Sequence, residues 1–169
     1  AVMLSAETAT GKYPVETVTA MAAACAEADR ADRTHTLDAA FLDRTFTRID
    51  QSIAMAALFA AHHMRASAIV SLTQSGSTAL WVTRIDSGIP VYALTPEESS
   101  RRRMTLFREC HPVAMQYRSY DMPAVLADVE RLMLENGLVK HGDLVVITVG
   151  EPVGKSGGTN NLKIVRIGS

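Results

Sequence analysis

The sequence has few of the features that mark extracellular, membrane or nucleic-acid-binding proteins. Two cysteines in 169 residues are typical of a protein kept reduced in the cytoplasm, although the sequence alone leaves open a disulfide between Cys25 and Cys110. No apolar run reaches the roughly 18 residues of a membrane span, and no secretory signal is visible. Lys and Arg number 17 against 18 Asp and Glu, a net charge of −1. We therefore expect a cytoplasmic protein without nucleic-acid or membrane partners.

Standard nucleotide, metal and catalytic patterns are also missing. The sequence contains neither GxGxxG nor GxxxxGK[ST]. His62 and His63 are adjacent on a predicted helix, so their side chains diverge by about 100° and do not readily share a metal. Cys110 beside His111 is not the geometry of a nucleophile and its base. The arginines at 101–103 are interpreted as a solvated helix face. No metal site and no catalytic residue is predicted in this chain.

Apolar runs that alternate with helical patterns are plentiful from residue 68 onward. Hydrophobic residues make up 47% of the chain, which is ample for one α/β core. The pattern predicts helices at about 77–87, 96–107 and 122–136 and strands at 68–73, 90–95, 112–117, 144–149 and 162–167. The last two strands are joined by a loop too short for a helix, which makes the final strand antiparallel. The predicted fold is a three-layer α/β/α domain with a mostly parallel five-stranded sheet.

The first 67 residues contain two further helices and a connecting segment. Pro14 begins a helix that runs to about Arg30, and a partly helical connection covers 30–49. Asp50 is expected to cap the next helix, whose predicted inner face contains Ile53, Ala57, Leu58, Ala61 and Met64. Residues 1–5 look like the end of a strand, which needs neighbours for its hydrogen bonds. We therefore expect the chain to be the C-terminal piece of a longer protein.

The stretch from Ala68 to Leu80 is the strongest candidate for a binding site. An apolar strand runs into small hydroxyl residues and one glycine, and a helical pattern follows. Backbone N–H groups at a helix start are unpaired, and hydroxyls add donors, so this arrangement is suited to phosphate. The candidate ligands are Thr73, Ser75, Gly76, Ser77 and Thr78. A purely structural role accounts for the same residues if Ser75 caps the helix and Thr73 ends the strand.

A second candidate loop, 150–161, follows the strand predicted at 144–149. It contains glycines, small polar residues and one lysine, and is either a flexible hairpin tip or a second anion-binding element. In the second case the ligands are Lys155, Ser156, Gly157 and Gly158. Because the carboxyl ends of parallel strands share one edge of a sheet, both loops are expected at the edge where open α/β folds bind ligands.

Several of these segments together resemble the pyruvate kinase family. Val-Met-Leu-Ser-Ala-Glu-Thr-Ala at 2–9, followed by Gly-Lys-Tyr-Pro-Val-Glu-Thr-Val at 11–18, resembles the end of that family's catalytic barrel. Thr-Gln-Ser-Gly-Ser-Thr-Ala at 73–79 is similar to its effector phosphate loop. The segments 84–91 and 142–146 resemble its following strands, and 152–162 stands at its effector loop. The resemblance covers essentially the whole chain.

The resemblance implies a division of the chain and a role for each part. Residues 1–33 would be the last β/α unit of a truncated TIM barrel, and 34–169 the C-terminal allosteric domain. The intact enzyme would transfer phosphoryl from phosphoenolpyruvate to ADP in glycolysis, with Mg²⁺ or Mn²⁺ and K⁺. The family's catalytic residues lie upstream, so this chain alone is expected neither to catalyse nor to bind these metals.

The resemblance also implies partners. These are the chain's own catalytic barrel, a homotetramer and a phosphorylated effector, either a sugar phosphate or a nucleotide monophosphate. The effector would be held by Thr73, Ser75, Gly76, Ser77 and Thr78, with Lys155, Ser156, Gly157 and Gly158 closing over it. Many relatives have arginine where this chain has Ser77, which favours a monophosphate with Lys155 as the main cation. The alternative is a freestanding phosphate-ester-binding or oligomerisation module with no attached enzyme.

Overall fold

The chain divides into two compact units, Ala1–His35 and Thr36–Ser169. A computed structural model describes residues 2–31 and 45–169. In the first unit the described residues form two helices, α1 (Ala6–Ala9) and α2 (Pro14–Ala31). The helix predicted from Pro14 is confirmed. Most of the connection predicted at 30–49 lies outside the described residues.

The strand predicted at residues 1–5 is wrong over the part that the structure describes. Val2–Ser5 is neither strand nor helix, and α1 follows it directly. The described part of this unit contains no second strand with which to share ladder hydrogen bonds. Ala1 lies outside the described residues.

The second unit is a five-stranded sheet with helices on both faces. The strands are in the order β3-β2-β1-β4-β5, and only the β4–β5 pairing is antiparallel. This confirms the predicted fold class. Its elements are α3 (Ile49–Met64), β1 (Ala68–Leu72), α4 (Ser77–Val82), β2 (Val91–Thr95), α5 (Glu98–Met104), β3 (Cys110–Ala114), α6 (Met122–Glu135), β4 (Leu144–Gly150) and β5 (Thr159–Arg166).

The core lies on both faces of the central strands. All five residues of β1 are buried, and successive side chains of a strand point to opposite faces. Val70 and Leu72 belong to a buried cluster with Val129 of α6. Ile69 instead belongs to a cluster with Leu58 of α3. Both faces of the sheet are therefore covered, and the loops at the strand ends are the parts of the sheet available to bind ligands.

Helix ends and strand limits differ from the predictions at several points. Strand β3 begins and ends earlier than 112–117, and α4 stops well before residue 87. At the start of α5, Thr95 Oγ1 accepts a hydrogen bond from the Glu97 N–H at 3.2 Å, and the Glu98 carboxylate pairs with Arg102 on the solvent side. Gly137 follows α6 in a left-handed conformation, and the N–H groups of residues 137 and 138 close the last turn.

The predicted inner face of α3 is only partly correct. Ala57, Leu58 and Ala61 are buried as predicted, whereas Met64 is exposed at the helix end. Asp50 does not cap this helix, because the helix begins at Ile49 and its N-cap position is Arg48. None of the helices within 2–31 and 45–169 is long and apolar enough to cross a membrane.

Candidate functional site

A cleft lies at the carboxyl ends of β1, the central strand, and its neighbour β4. It measures about 350 Å³ including its open mouth, although only about 20 Å³ is enclosed space that the centre of a water molecule can occupy. The two loops predicted separately from the sequence therefore meet at one narrow cleft. Its lining residues are Leu72, Thr73, Gln74, Ser75, Ser77, Thr78, Tyr117, Val149, Gly150, Val153, Gly154, Lys155, Gly157 and Thr159.

The first loop is held by its own hydroxyl groups. The Gly76 N–H donates to Thr73 Oγ1 at 2.9 Å, and the Ser77 N–H donates to Ser75 Oγ at 3.4 Å. The purely structural explanation is thus right that these hydroxyls secure the turn, although the N-cap position is Gly76 rather than Ser75. A hydroxyl that accepts a hydrogen bond still has its own hydrogen to donate. Thr73 and Ser75 therefore retain a donor each for an anion.

Gly76 is required by the shape of this turn. Its φ is +78°, in the left-handed region that side chains other than glycine rarely adopt. A Cβ at this position would also lie 2.9 Å from the Met104 side chain of α5. Gly76 does not line the main cleft and instead lies in a neighbouring groove with Arg103 and Phe107.

Ser77 is tied to the beginning of α3 by a polar contact that the sequence did not predict. The Ser77 hydroxyl donates to Asp50 Oδ2 at 3.0 Å. The Arg48 guanidinium pairs with the same carboxylate through two hydrogen bonds, Nε to Oδ1 at 2.9 Å and Nη2 to Oδ2 at 2.6 Å. Arg48 Nη2 also lies 3.4 Å from Ser77 Oγ. The Arg48–Asp50 ion pair therefore contacts Ser77 of the first loop.

Asp50 is charged despite its burial. Burial alone raises the pKa of this carboxyl, but hydrogen bonds from Arg48 and Ser77, together with the Arg48 charge, outweigh it and hold the pKa below its usual value. The Asp50 side chain is only 3% exposed, whereas that of Arg48 is 54% exposed. The negative member of the pair is thus shielded from water and the positive member is not.

The two loops are linked by a buried contact between hydroxyl groups. Thr78 Oγ1 and Thr159 Oγ1 are 2.7 Å apart, although the residues are 81 positions apart in sequence. The base of the second loop is closed by the Asn160 side chain, which accepts from the Glu151 N–H and donates to the Glu151 carbonyl, both at 2.9 Å. The second loop is therefore anchored at its base, and it is more than a free hairpin tip.

Three basic residues surround the first loop. Lys155 of the second loop is exposed and lines the cleft with Gly157. Ser156 and Gly158 do not line it. Arg103 Nη2 donates to the Ser75 carbonyl oxygen, so this arginine is a neighbour of the loop as well as part of a solvated helix face. Sequence reasoning identified Lys155 and missed both Arg103 and Arg48.

An aromatic wall completes the cleft. Tyr117 and Tyr120 come from the connection between β3 and α6, with ring centroids 6.2 Å apart. Tyr117 lines the cleft, and Tyr120 lies against Gly154, so that a Cβ on that glycine would be 2.9 Å from its ring. Burial, with a smaller contribution from Tyr120, raises the pKa of Tyr117. Its phenol therefore stays neutral and retains a hydrogen to donate.

The cysteines and the possible metal ligands form no second candidate site among the described residues. Cys25 and Cys110 are both free thiols. Burial raises the pKa of Cys110 to about 11, so this thiol is a poor nucleophile at neutral pH. Among the residues that the structure describes, no three His, Cys, Asp or Glu side chains are grouped as a metal site requires.

Comparison with known proteins agrees with this architecture, an α/β domain with a narrow cleft at the carboxyl edge of its sheet. Residues 51–165 match the family model described as pyruvate kinase, alpha/beta domain. The chain therefore belongs to the pyruvate kinase family, which confirms the resemblance seen in the sequence.

Full-length relatives show the same relationship. Over 168 residues the chain is 36% identical to a pyruvate kinase of Buchnera aphidicola subsp. Baizongia pistaciae and 37% identical to pyruvate kinase II of Salmonella typhimurium. Each match covers 99% of this chain and 35% of the relative. A pyruvate kinase of Clostridium acetobutylicum is 35% identical over 164 residues, 97% of this chain and 34% of the relative. The chain spans about a third of the length of the relatives it matches.

Proposed function

We propose that this chain is the C-terminal regulatory and oligomerisation part of a pyruvate kinase and that its cleft binds a phosphorylated allosteric effector. The intact enzyme would work in cytoplasmic glycolysis, transferring phosphoryl from phosphoenolpyruvate to ADP, with Mg²⁺ or Mn²⁺ and K⁺ bound by the catalytic barrel. Family membership supports the enzyme. The observation that carries effector binding is the meeting of two distant loops at one cleft, tied by the Thr78–Thr159 hydroxyl pair.

The donors around the cleft favour a single phosphate group. The hydroxyls of Thr73 and Ser75 accept hydrogen bonds from the loop itself, which leaves their hydrogens for phosphate oxygens. Lys155 supplies a point charge. Helix α4 has only six residues, so its dipole adds little. With the Ser77 hydroxyl committed to Asp50, the set fits a sugar or nucleotide monophosphate better than a bisphosphate.

Binding at this cleft would act by closing and ordering the second loop. The loop leads directly into β5, the edge strand of the sheet. A change in the position of the loop would therefore shift a strand that is paired with β4 alone in the described sheet. Such regulation needs a Kd only between about micromolar and millimolar, or about 4–8 kcal/mol. A coupling of about 1–3 kcal/mol to the active site of the homotetramer would then suffice.

Removal of the lysine charge provides a test of this site. Lys155→Gln is expected to weaken ribose 5-phosphate binding by about tenfold, because the phosphate loses the exposed cation that lines the cleft. Isothermal titration calorimetry on the full chain measures this change. Lys140→Gln is the matched control, since Lys140 is exposed and lies in the turn before β4, at the other end of that strand.

The same titrations compare effector classes. Ribose 5-phosphate, glucose 6-phosphate and AMP are expected to bind, and fructose bisphosphate is expected to gain nothing from its second phosphate. Equal weakening by Lys155→Gln and Lys140→Gln would contradict the assignment of the cleft. Binding of fructose bisphosphate about 100-fold tighter than the monophosphates would contradict the assigned ligand class.

A further inference from the structure

We propose that the Arg48–Asp50 ion pair sets the affinity of the cleft for phosphate esters, with Asp50 weakening binding and Arg48 restoring it. The inference rests on the proposed function of the cleft and adds the charges that tune it. It assigns a role in setting ligand affinity to two residues at the start of α3, outside both loops.

The contact between the ion pair and the phosphate loop is direct. Ser77 lines the cleft, and its hydroxyl donates to Asp50 Oδ2 at 3.0 Å. Asp50 thereby takes a hydrogen that would otherwise be free to point at a phosphate oxygen. Arg48 holds the carboxylate through two hydrogen bonds and also lies within 3.4 Å of the Ser77 hydroxyl. A change in the charge of either residue therefore alters the electrostatic potential at the phosphate loop.

The unequal exposure of the two side chains decides which of their charges dominates at the cleft. Asp50 is 3% exposed and Arg48 is 54% exposed. Charge in a buried position is poorly screened, whereas an exposed charge is attenuated by water. As seen from the cleft, the negative charge of Asp50 is only partly balanced by Arg48. The pair therefore opposes a phosphate dianion without abolishing its binding.

Breaking the pair from each side separates this role from a structural one. Asp50→Asn removes the negative charge with little change in shape and is expected to tighten ribose 5-phosphate binding about fivefold. Arg48→Gln leaves the buried carboxylate unbalanced and is expected to weaken binding about tenfold. Both changes break the same ion pair, so a purely structural role would move the two affinities in the same direction.

Calorimetry of the full chain with inorganic phosphate and ribose 5-phosphate at low salt measures the two effects. Arg48→Lys keeps the positive charge but loses one of the two parallel hydrogen bonds to Asp50, and is expected to weaken binding less than Arg48→Gln does. Asp128→Asn and Arg131→Gln break a partly exposed pair on α6, outside the cleft, with the same charge changes, and are expected to leave binding unchanged. Circular dichroism reports folding for each variant.

The double variant Arg48→Gln/Asp50→Asn provides the test if Arg48→Gln alone does not fold. Both charges are then gone, and its affinity is expected within about threefold of wild type. Weakening by both single variants, or a double variant about tenfold or more weaker than wild type, overturns this inference while leaving the proposed function intact. Absence of phosphate-ester binding in both wild type and Asp50→Asn overturns the proposed function and the inference together.

Discussion

Replacing Ser75 by aspartate is expected to abolish effector binding, with a loss of about 100-fold or more in affinity for ribose 5-phosphate. Ser75 lines the cleft, so the new carboxylate would place a negative charge where the phosphate is expected. The turn itself should persist. Aspartate can accept the Ser77 N–H bond that Ser75 Oγ accepts at 3.4 Å, and it is a favourable residue near a helix start. Isothermal titration calorimetry of the full chain gives the affinity.

Ser75→Asn is the matched control for this substitution. It has nearly the same shape and the same capping ability but no charge, so it is expected to bind within about tenfold of wild type. If Ser75→Asp binds ribose 5-phosphate as wild type does, the first loop is not the phosphate site. A loss of the same size in both variants would point to shape rather than charge.

Gly150→Ala is expected to disable the second loop and to cost about 1–3 kcal/mol in the free energy of unfolding. An added Cβ at this position would lie 2.7 Å from the carbonyl oxygen of Gly158, which is backbone and cannot rotate away. The strand pairing is irregular at this point, where Gly150 lies opposite Thr159. Relief of the clash would shift the loop and separate Lys155 from the cleft. We expect ester affinity to fall by about tenfold or more.

Urea denaturation and calorimetry measure the two parts of this prediction. Ser156→Ala is the control, because Ser156 is exposed on the same loop and does not line the cleft. It is expected to leave both stability and affinity unchanged. Full ester affinity in a destabilised Gly150→Ala protein would show that the position of the second loop does not matter for binding.

The alternation of strands and helices was predictable because it depends on local patterns. Continuous apolar runs marked the buried central strands, and the short final connection marked β5 as antiparallel. The predicted position of strand β3 is wrong. The strand contains Pro112, which an edge strand tolerates because only one side of it is paired, and the apolar residues after it suggested a later strand. The predicted length of helix α4 is too great. Ile85 continues the apolar pattern of the helix, but it lies beyond the helix end and packs against the core from there.

Only part of the candidate site was predictable. Strand ends, small hydroxyl residues and glycines pointed to both loops, and the parallel sheet brought them to one edge. The Asp50–Ser77 contact spans 27 positions and has no local signal, so a polar residue at a helix start was interpreted as a cap. Arg103 lies within a run of arginines and Tyr117 lies in a loop, so neither has a local sequence signal. Tertiary packing alone brings Arg103 to the first loop and Tyr117 to the cleft.

The central claim is that a phosphate ester binds between the two loops, and a crystal structure of the chain with ribose 5-phosphate tests it most directly. The predicted result is a phosphate group between the Ser75–Thr78 segment and Lys155, with the Thr73 and Ser75 hydroxyls donating to its oxygens. A ligand bound elsewhere, or an empty cleft at saturating ribose 5-phosphate, would contradict the account.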